Sequence, residues 1–375
     1  MINPQCFVEA LSKNGVSFFA GVPDSLLKNI CAYITDNVSP ENNIIAANEG
    51  GAVGLAAGYY LATGKIPVVY MQNSGEGNTV NPLMSLTDKD VYNIPVLLLI
   101  GWRGEPGVHD EPQHVKQGKV TVPLLDAMGI KNEVLSDNED EAEKQICAAK
   151  AYMEETKDAY ALIIRKGTFA DYKLQKNEVS ACQMLRETAI GIAAGMIEDD
   201  ATIVSTTGMI SRELFEYRTN NNQGHERDFL TVGSMGHASQ IALGIVLHKP
   251  NRRVYCFDGD GASIMHMGNM AITGSMLPNN YVHIVFNNGA HDSVGGQPTV
   301  GLKINFPEIA KSVGYERVYS VENEADLRGV MTNIRDIHEL IFIEVKVKKG
   351  ARKDLGRPTT TPIQNKEALM EFLNK

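Results

Sequence analysis

Short apolar runs alternate with longer segments of helical periodicity along almost the whole chain. The runs, rich in Val, Ile, Leu and Phe, occupy residues 16–22, 44–47, 67–71, 95–100, 160–164, 202–205, 229–232, 253–257, 281–286 and 340–347. Continuous apolar runs of this length predict strands that are buried on both faces of a parallel sheet. The periodic segments between them predict helices that cover the sheet, so the pattern as a whole predicts an α/β fold.

One polar stretch, residues 167–180, interrupts this alternation. We interpret 169–180 as a linker between a first domain, 1–168, and a second domain, 181–375. Each domain is expected to be a mostly parallel sheet flanked by helices. A chain of 375 residues, 43% of them hydrophobic, is long enough for two such cores.

The formal net charge of −10 argues against nucleic acid as a partner, because a phosphate backbone requires a basic face. No apolar run reaches the roughly 18 residues of a membrane span, and residues 1–5 do not resemble a signal peptide. The five cysteines show no metal-ligand spacing. We therefore expect a soluble, cytoplasmic protein in which local basic residues attract any anionic substrate.

Two polar motifs follow predicted strands in the second domain. Gly-Asp-Gly at 259–261 and Asn-Asn at 287–288 are separated by 25 residues. Residues 263–276 predict a connecting helix that directs four side chains toward a core, namely Met265, Met267, Met270 and Ile272. Asp260 and an asparagine carbonyl are hard oxygen ligands that suit Mg²⁺, and glycines let the backbone approach a diphosphate. Asp-Gly also forms ordinary turns, so the triplet alone is a weak signal.

An acidic residue of the first domain, Glu49, stands between a predicted strand and a helix rich in glycine and alanine, residues 50–58. A glutamate is also favoured in the first turn of any helix, where it interacts with the helix dipole. Together with the two motifs of the second domain, however, Glu49 becomes a candidate catalytic acid.

This combination of motifs resembles the thiamine diphosphate enzymes. The resemblance implies a pyrimidine-binding domain followed by a diphosphate- and Mg²⁺-binding domain. The implied metal ligands are the Asp260 carboxylate, the Asn288 side chain and the Ala290 backbone carbonyl. Asn287 is the alternative to Asn288, because the spacing between the motifs is slightly longer than in many members. Glu49 would hydrogen-bond the aminopyrimidine ring and promote the tautomer that removes the thiazolium proton.

The same resemblance implies a diphosphate site at strand ends and helix starts, where free backbone N–H groups favour anions. Its implied residues are Thr207, Gly208, Gly233, Gly259, Gly261 and Ala262. Residues 205–208 are alternatively a simple cap for a helix that begins near Ser211. Met235 matches the bulky residue that holds the cofactor in a bent shape, and it is equally suited to ordinary core packing.

Two loops of the first domain offer further candidates. Residues 21–25 resemble the strand-end loop of 2-oxoacid decarboxylases, in which the fifth position, here Ser25, lies beside the reacting carbon. Ser25 could equally cap the helix that follows. The polar, glycine-rich loop 101–118 contains His114, which could relay protons near neutral pH. A lone histidine is also often structural.

Several segments together resemble the phosphonopyruvate decarboxylases over nearly the whole chain. They are residues 21–28, 72–85, 103–118, 233–237 and 295–299. The resemblance implies the non-oxidative decarboxylation of 3-phosphonopyruvate to phosphonoacetaldehyde and CO₂ in phosphonate biosynthesis, with thiamine diphosphate and Mg²⁺. The alternatives are sulfopyruvate decarboxylase, which is commonly split into two subunits, another 2-oxoacid decarboxylase, or a catalytically silent nucleotide- or phosphate-binding α/β protein.

The small anionic substrate needs its own donors, and the sequence does not choose among the candidates. They are Lys28, Asn78, Arg103, Lys116 and Arg212. In this family the two sides of one active site come from different subunits. A homodimer or larger homo-oligomer with active sites at subunit interfaces is therefore implied.

Overall fold

The computed structural model describes residues 1–176 and 181–375, which form two compact units, 1–177 and 178–375. Residues 177–180 of the predicted linker lie outside the described residues. The preceding part of that segment packs on the first unit. Phe169 is buried, forms a β-bridge with Ile2 and accepts a hydrogen bond from the Asn29 side chain.

The first unit contains a parallel six-stranded sheet with the strand order β2-β1-β3-β4-β6-β5. Its strands are β1 (Phe19–Gly21), β2 (Asn43–Ile45), β3 (Val68–Gln72), β4 (Leu97–Gly101), β5 (Lys131–Val134) and β6 (Tyr160–Ile164). Its helices are α1 (Pro4–Lys13), α2 (Lys28–Asn37), α3 (Glu49–Thr63), α4 (Glu76–Pro82), α5 (Pro112–Ala127) and α6 (Glu139–Thr156). Successive side chains of a strand point to opposite faces. Leu97 and Leu99 accordingly join one apolar core, and Leu98 and Ile100 join the other.

The second unit repeats this architecture with the strand order β11-β12-β10-β9-β7-β8. Its strands are β7 (Thr202–Ser205), β8 (Asp228–Leu230), β9 (Val254–Gly259), β10 (Tyr281–Asn287), β11 (Arg317–Val321) and β12 (Ile341–Lys346). Its helices are α7 (Arg186–Met196), α8 (Met209–Asn220), α9 (Ala238–His248), α10 (Asp260–Met265), α11 (Gly268–Met276), α12 (Phe306–Ser312), α13 (Glu324–Asn333) and α14 (Pro362–Leu373). The predicted fold class, two α/β units each built on a parallel sheet, is confirmed.

Three local predictions were wrong. The predicted helix 263–276 is two helices, α10 and α11, because the backbone leaves the helical region at His266, and Ile272 is 54% exposed rather than in a core. The predicted loop 101–118 ends early, since α5 begins within it. Strands β5 and β11 carry mostly polar or half-exposed residues at sheet edges, so apolar runs did not predict them.

None of the helices in the described residues is both long and apolar enough to cross a membrane.

A buried ion pair supports the second unit. Arg218 and Asp228 are both fully buried, and the guanidinium donates two hydrogen bonds, of 2.8 and 3.0 Å, to the carboxylate. We expect Arg218→Ala to lower the free energy of unfolding by about 3–5 kcal/mol, because it leaves a buried charge without a partner. The matched control is Arg328→Ala, which removes an exposed pair with Glu324 and should cost no more than about 1 kcal/mol. Equal losses in urea unfolding would contradict this account.

Candidate active site

The carboxyl ends of four neighbouring strands, β2, β1, β3 and β4, carry the candidate residues of the first unit. Ser25 follows β1, Glu49 follows β2, Asn78 follows β3 and Arg103 follows β4. Because parallel strands end at one edge of their sheet, the fold brings these predicted residues together at that edge. This is the edge at which open α/β sheets bind ligands.

Glu49 is the first residue of α3 and is 5% exposed. The Asn48 side chain caps the helix by accepting a hydrogen bond from the Gly51 N–H, and Glu49 Oε2 accepts one of 2.7 Å from Asn78 Nδ2. The Glu49 carboxyl also rests on Gly75, where a Cβ atom would lie 2.4 Å from Oε1. Any larger residue at 75 would displace this acid, so its position is fixed by packing as well as by hydrogen bonding.

Arg103 links the loop after β1 to the loop after β4. Its Nη1 donates a 2.8 Å hydrogen bond to Ser25 Oγ, and its Nε and Nη2 donate to the Asp110 carboxylate. Partial burial alone would raise the pKa of Asp110, but the hydrogen bond and charge of Arg103 bring it down to about 2. The side chain that caps the chain before α2 is Asp24, which accepts from the N–H groups of Leu26 and Leu27, rather than Ser25.

His114 lies in the first turn of α5, not in a loop, and is 7% exposed. Its Nδ1 has no hydrogen-bond partner. Burial and the nearby positive charge of Arg103 lower the pKa of His114 below its ordinary 6.5. The imidazole is therefore neutral at pH 7, a state in which one ring nitrogen can accept a proton and the other can donate one.

In the second unit, the candidate residues again follow neighbouring strands. The Thr207 hydroxyl, after β7, accepts a 3.1 Å hydrogen bond from the N–H of Gly233, after β8. Gly208, whose φ of 98° favours glycine, directly precedes α8, which begins at Met209, two residues before the predicted start near Ser211. Gly259 ends β9, and Gly261 and Ala262 lie in the first turn of α10.

Two side chains lie over this first turn of α10. A Cβ atom on Gly261 would be 3.5 Å from Met235 Cε and 3.1 Å from the His291 ring. Burial lowers the pKa of His291 to about 4, so its ring is neutral at pH 7. Met235 is therefore beside the candidate diphosphate residues, while His291 is a neighbour that the sequence reasoning missed.

Asp260 begins α10 and is 2% exposed. Its carboxylate accepts a hydrogen bond from the Thr299 hydroxyl, and no ion pair to it is found within residues 1–176 and 181–375. Burial raises the pKa of Asp260 to about 6. Gly301 packs against it, since a Cβ atom there would lie 2.5 Å from Asp260 Oδ2 and 2.7 Å from Asn287 Oδ1. Asp260 and Asn287 therefore direct oxygens at the same small space.

Asn287 and Asn288 are each held through the amide nitrogen. Asn287 Nδ2 donates to the Gly301 carbonyl and to Glu344, both at 2.8 Å. Asn288 Nδ2 donates to Asp292 at 2.6 Å, and Asp292 is in turn paired with the buried Arg186. The amide oxygens accept backbone hydrogen bonds, Asn287 Oδ1 from the Gly289 N–H at 3.2 Å and Asn288 Oδ1 from the Ala290 N–H at 3.0 Å, and each retains a lone pair for a metal ion. Ala290, the third predicted ligand, follows two residues later and forms a β-bridge with Pro298.

Three of the candidate substrate donors make no contact with the other candidate site residues. Lys28 and Lys116 are exposed on α2 and α5, and Arg212 is half-buried on α8 of the second unit. We find no hydrogen bond or ion pair from these three to another candidate residue in the described part of the chain. Arg103 and Asn78 are the two donors that contact other candidates.

Comparison with known proteins identifies the family to which the chain belongs. The model of the thiamine pyrophosphate enzyme N-terminal TPP binding domain matches residues 4–128, and that of the C-terminal TPP binding domain matches residues 206–345. The chain is 33% identical to a phosphonopyruvate decarboxylase of Streptomyces viridochromogenes, over 97% of this chain and 93% of the relative. It belongs to the phosphonopyruvate and sulfopyruvate decarboxylase family. A phosphonopyruvate decarboxylase of Streptomyces hygroscopicus is 31% identical over 99% of this chain and 94% of the relative, and a sulfopyruvate decarboxylase of Methanosarcina acetivorans is 28% identical over 93% and 92%.

The residues of this decarboxylase suit thiamine pyrophosphate, which is the same compound as thiamine diphosphate. Asp260 is a buried acid without a cationic partner among the described residues, and a divalent metal would supply that charge. Thr206 and Thr231 follow β7 and β8, and both hydroxyls are buried without a hydrogen-bond partner. Such orphaned hydroxyls suit the oxygens of an anionic ligand. These two threonines were not among the predicted binding residues, although Thr206 adjoins one.

Proposed function

We propose that this decarboxylase converts 3-phosphonopyruvate to phosphonoacetaldehyde and CO₂ without oxidation, and that it serves phosphonate biosynthesis. The observation that carries the proposal is full-length similarity. Two relatives named phosphonopyruvate decarboxylase reach 33% and 31% identity over almost the whole of each chain, compared with 28% for the sulfopyruvate relative.

Thiamine diphosphate and Mg²⁺ are the proposed cofactors, held mainly by the second unit. Asp260, the Asn288 side chain and the Ala290 carbonyl would bind the metal, and Asn287 is the alternative amide, since its oxygen and that of Asp260 adjoin Gly301. Thr207, Gly208, Gly233, Gly259, Gly261 and Ala262 would surround the diphosphate. When bound, thiamine diphosphate supplies the electron sink that decarboxylation of a 2-oxoacid requires.

The first unit would contribute the acid and base groups. Glu49, fixed by Asn78 and Gly75, would hydrogen-bond the aminopyrimidine ring. His114 is a neutral, buried imidazole with an unpartnered Nδ1, so it can hold or release a proton at neutral pH. Ser25 is the second candidate for delivering the proton that completes the product. Its hydroxyl accepts from Arg103 and donates a long hydrogen bond of 3.4 Å to Asp24, which a substrate would replace as the acceptor of that hydrogen.

Arg103 is the proposed phosphonate-binding cation. The structure ties it to Ser25, and the bidentate contact with Asp110 fixes the plane of its guanidinium. Three of its five N–H groups are used in these contacts, which leaves two for phosphonate oxygens. Asp110 also offsets part of the positive charge, so the site would favour a ligand that hydrogen-bonds in the plane of the guanidinium.

The substrate proposal is tested by steady-state turnover of phosphonopyruvate, sulfopyruvate and pyruvate with thiamine diphosphate and Mg²⁺. We expect the highest kcat/KM for phosphonopyruvate, with phosphonoacetaldehyde as the identified product. A clear preference for sulfopyruvate would reject the assignment. Calorimetry distinguishes the proposed enzyme from a catalytically silent protein. The enzyme should bind thiamine diphosphate in a metal-dependent way, and the silent protein should show no such binding.

A homodimer or larger homo-oligomer, with active sites at subunit interfaces, is the proposed assembly. The resemblance to thiamine diphosphate enzymes supports it. So do the exposed apolar residues of the first unit, which include Leu61, Met84, Val91 and Tyr92, each more than half exposed in the isolated chain. Analytical ultracentrifugation would show a stable dimer or larger species, and a monomer at assay concentration would contradict the proposal.

A further inference from the structure

A chain of polar contacts leads from the start of α7 to the candidate metal ligand Asn288. Its central member is Asp292, four residues after Asn288, whose side chain is 10% exposed. Three donors converge on Asp292 Oδ2, namely Asn288 Nδ2 at 2.6 Å, Arg186 Nη1 at 2.9 Å and the Gly350 N–H at 3.0 Å. This one carboxylate therefore joins the loop after β10 to two distant parts of the chain.

Arg186, the first residue of α7, is the buried cation of this chain of contacts and is 5% exposed. Its Nε and Nη2 donate hydrogen bonds of 2.8 and 3.0 Å to the two carboxylate oxygens of Glu213, a buried residue of α8. A guanidinium bound in this bidentate way has a fixed plane, so the direction of its Nη1 is fixed as well. Arg186 therefore sets the position of the Asp292 carboxylate from outside the loop.

The orientation of the Asn288 amide follows from the chemistry of its two neighbours. A carboxylate can only accept hydrogen bonds, so the amide nitrogen must face Asp292. The Ala290 N–H can only donate, and it lies 3.0 Å from Asn288 Oδ1. The amide therefore has a single orientation, in which the nitrogen faces the acid and the oxygen keeps one lone pair.

The contact with Asp292 also affects the strength of the Asn288 oxygen as a ligand. A carboxylate that accepts from an amide nitrogen makes the amide oxygen more negative, because hydrogen bonds polarise the groups that they join. Supporting partners of this kind orient metal ligands and raise their basicity. Asn287 has a comparable acid, Glu344, which also accepts from the Ser320 hydroxyl. Of these two acids, only Asp292 is paired with a buried cation within residues 1–176 and 181–375.

We propose that Asp292, anchored by Arg186, is a positioning residue for metal binding. It holds Asn288 so that the amide oxygen is available to the metal, and it makes that oxygen a stronger ligand. The inference rests on the proposed function, in which Asn288 rather than Asn287 binds Mg²⁺. It makes the metal affinity depend on residues far from the motif, since Arg186 is 106 residues before Asp292 and Gly350 is 58 residues after it.

The first test compares the Mg²⁺ affinity of Asp292→Asn with that of the wild type, measured by calorimetry as the Mg²⁺ dependence of thiamine diphosphate binding. Asparagine has the size of aspartate without its charge, so the Mg²⁺ affinity should fall about tenfold or more. Arg186 keeps both contacts with Glu213, so the variant should fold, which urea unfolding checks. Asp336→Asn makes the same change at an exposed position of the second unit and should match the wild type.

Double variants show whether Asp292 acts through Asn288. If it does, Asp292→Asn should lower the Mg²⁺ affinity by less than about twofold further in the Asn288→Ala background, where the contact no longer exists. In the Asn287→Ala background the same substitution should keep its full effect. A residue that merely stabilises the loop would act equally in both backgrounds. Asp292→Ala, which removes the acceptor without adding a donor, should give the same pattern.

A third variant separates the Asn288 contact from the order of the loop as a whole. Lys349 tethers the same loop, because its Nζ donates a 2.6 Å hydrogen bond to the Gly296 carbonyl. Lys349→Ala removes this tether and leaves the side chains of Asp292 and Asn288 in place. It should therefore lower the Mg²⁺ affinity by less than about twofold, compared with about tenfold for Asp292→Asn.

Three results would overturn the inference. They are a wild-type Mg²⁺ affinity in Asp292→Asn, an equal effect of this substitution in the Asn287→Ala and Asn288→Ala backgrounds, and a loss in Lys349→Ala as large as that in Asp292→Asn. None of these measurements uses turnover. A wild type that binds thiamine diphosphate with Mg²⁺ but does not decarboxylate phosphonopyruvate would refute the proposed substrate alone. A wild type without metal-dependent binding would refute both the proposed cofactors and this inference.

Discussion

Replacement of Glu49 by glutamine is expected to lower kcat by about 10²–10⁴-fold while leaving the affinity for thiamine diphosphate nearly unchanged. Glutamine has the same size, so it keeps the packing against Gly75 and the contact with Asn78. It cannot exchange a proton with the aminopyrimidine ring. The loss should therefore appear in turnover, measured by steady-state kinetics, and not in calorimetric binding of thiamine diphosphate with Mg²⁺.

The control for this variant is Glu41→Gln, which makes the same chemical change at an exposed site of the same unit. Turnover of Glu49→Gln close to that of the wild type would remove Glu49 from the role proposed for it. A loss of cofactor binding equal to the loss of turnover would also contradict the account, because it would assign Glu49 to binding alone.

Replacement of Asp260 by alanine should abolish the metal dependence of cofactor binding. Asp260 is the one carboxylate among the three proposed Mg²⁺ ligands. Removing a residue that merely supports a metal ligand lowers metal affinity by roughly 10–100-fold, and Asp260→Ala should lower it by more than that. Folding should survive, because the buried acid makes no ion pair within the described residues. Titration with thiamine diphosphate at increasing Mg²⁺ concentration measures the effect.

Asp199→Ala, at a fully exposed position of the same unit, is the matched control and should bind the cofactor as the wild type does. Unchanged metal-dependent affinity in Asp260→Ala would show that the proposed ligand set is wrong. The companion variants Asn287→Ala and Asn288→Ala then show which of the two amides binds the metal. Only the variant that removes a metal ligand should lower the affinity for Mg²⁺ strongly.

The core of the fold could be predicted from the sequence because the central strands are apolar on both faces. The run 160–164 coincides with β6, and the other predicted runs overlap the observed strands within a few residues. The edge strands β5 and β11 could not be found in this way. One of their faces or edges meets solvent, so polar residues such as Lys131 and Arg317 are tolerated there.

For the candidate site, the sequence indicated the motif residues but not the side chains that support them. Glu49 and Asp260 stand in short local patterns, whereas Thr299 reaches Asp260 from 39 residues away in the chain. Contacts of this kind depend on the order of the strands in the sheet. That order cannot be read from the spacing of residues along the chain.

The most direct test of the account mixes the two inactive variants, Glu49→Gln and Asp260→Ala, under conditions in which subunits exchange. If each active site takes Glu49 from one subunit and the metal site from its partner, a mixed dimer has one intact site. Random exchange then predicts recovery of roughly a quarter of wild-type decarboxylation of phosphonopyruvate. Mixed dimers that form but remain as inactive as either parent would contradict the claim that the two units of different subunits build one thiamine diphosphate site.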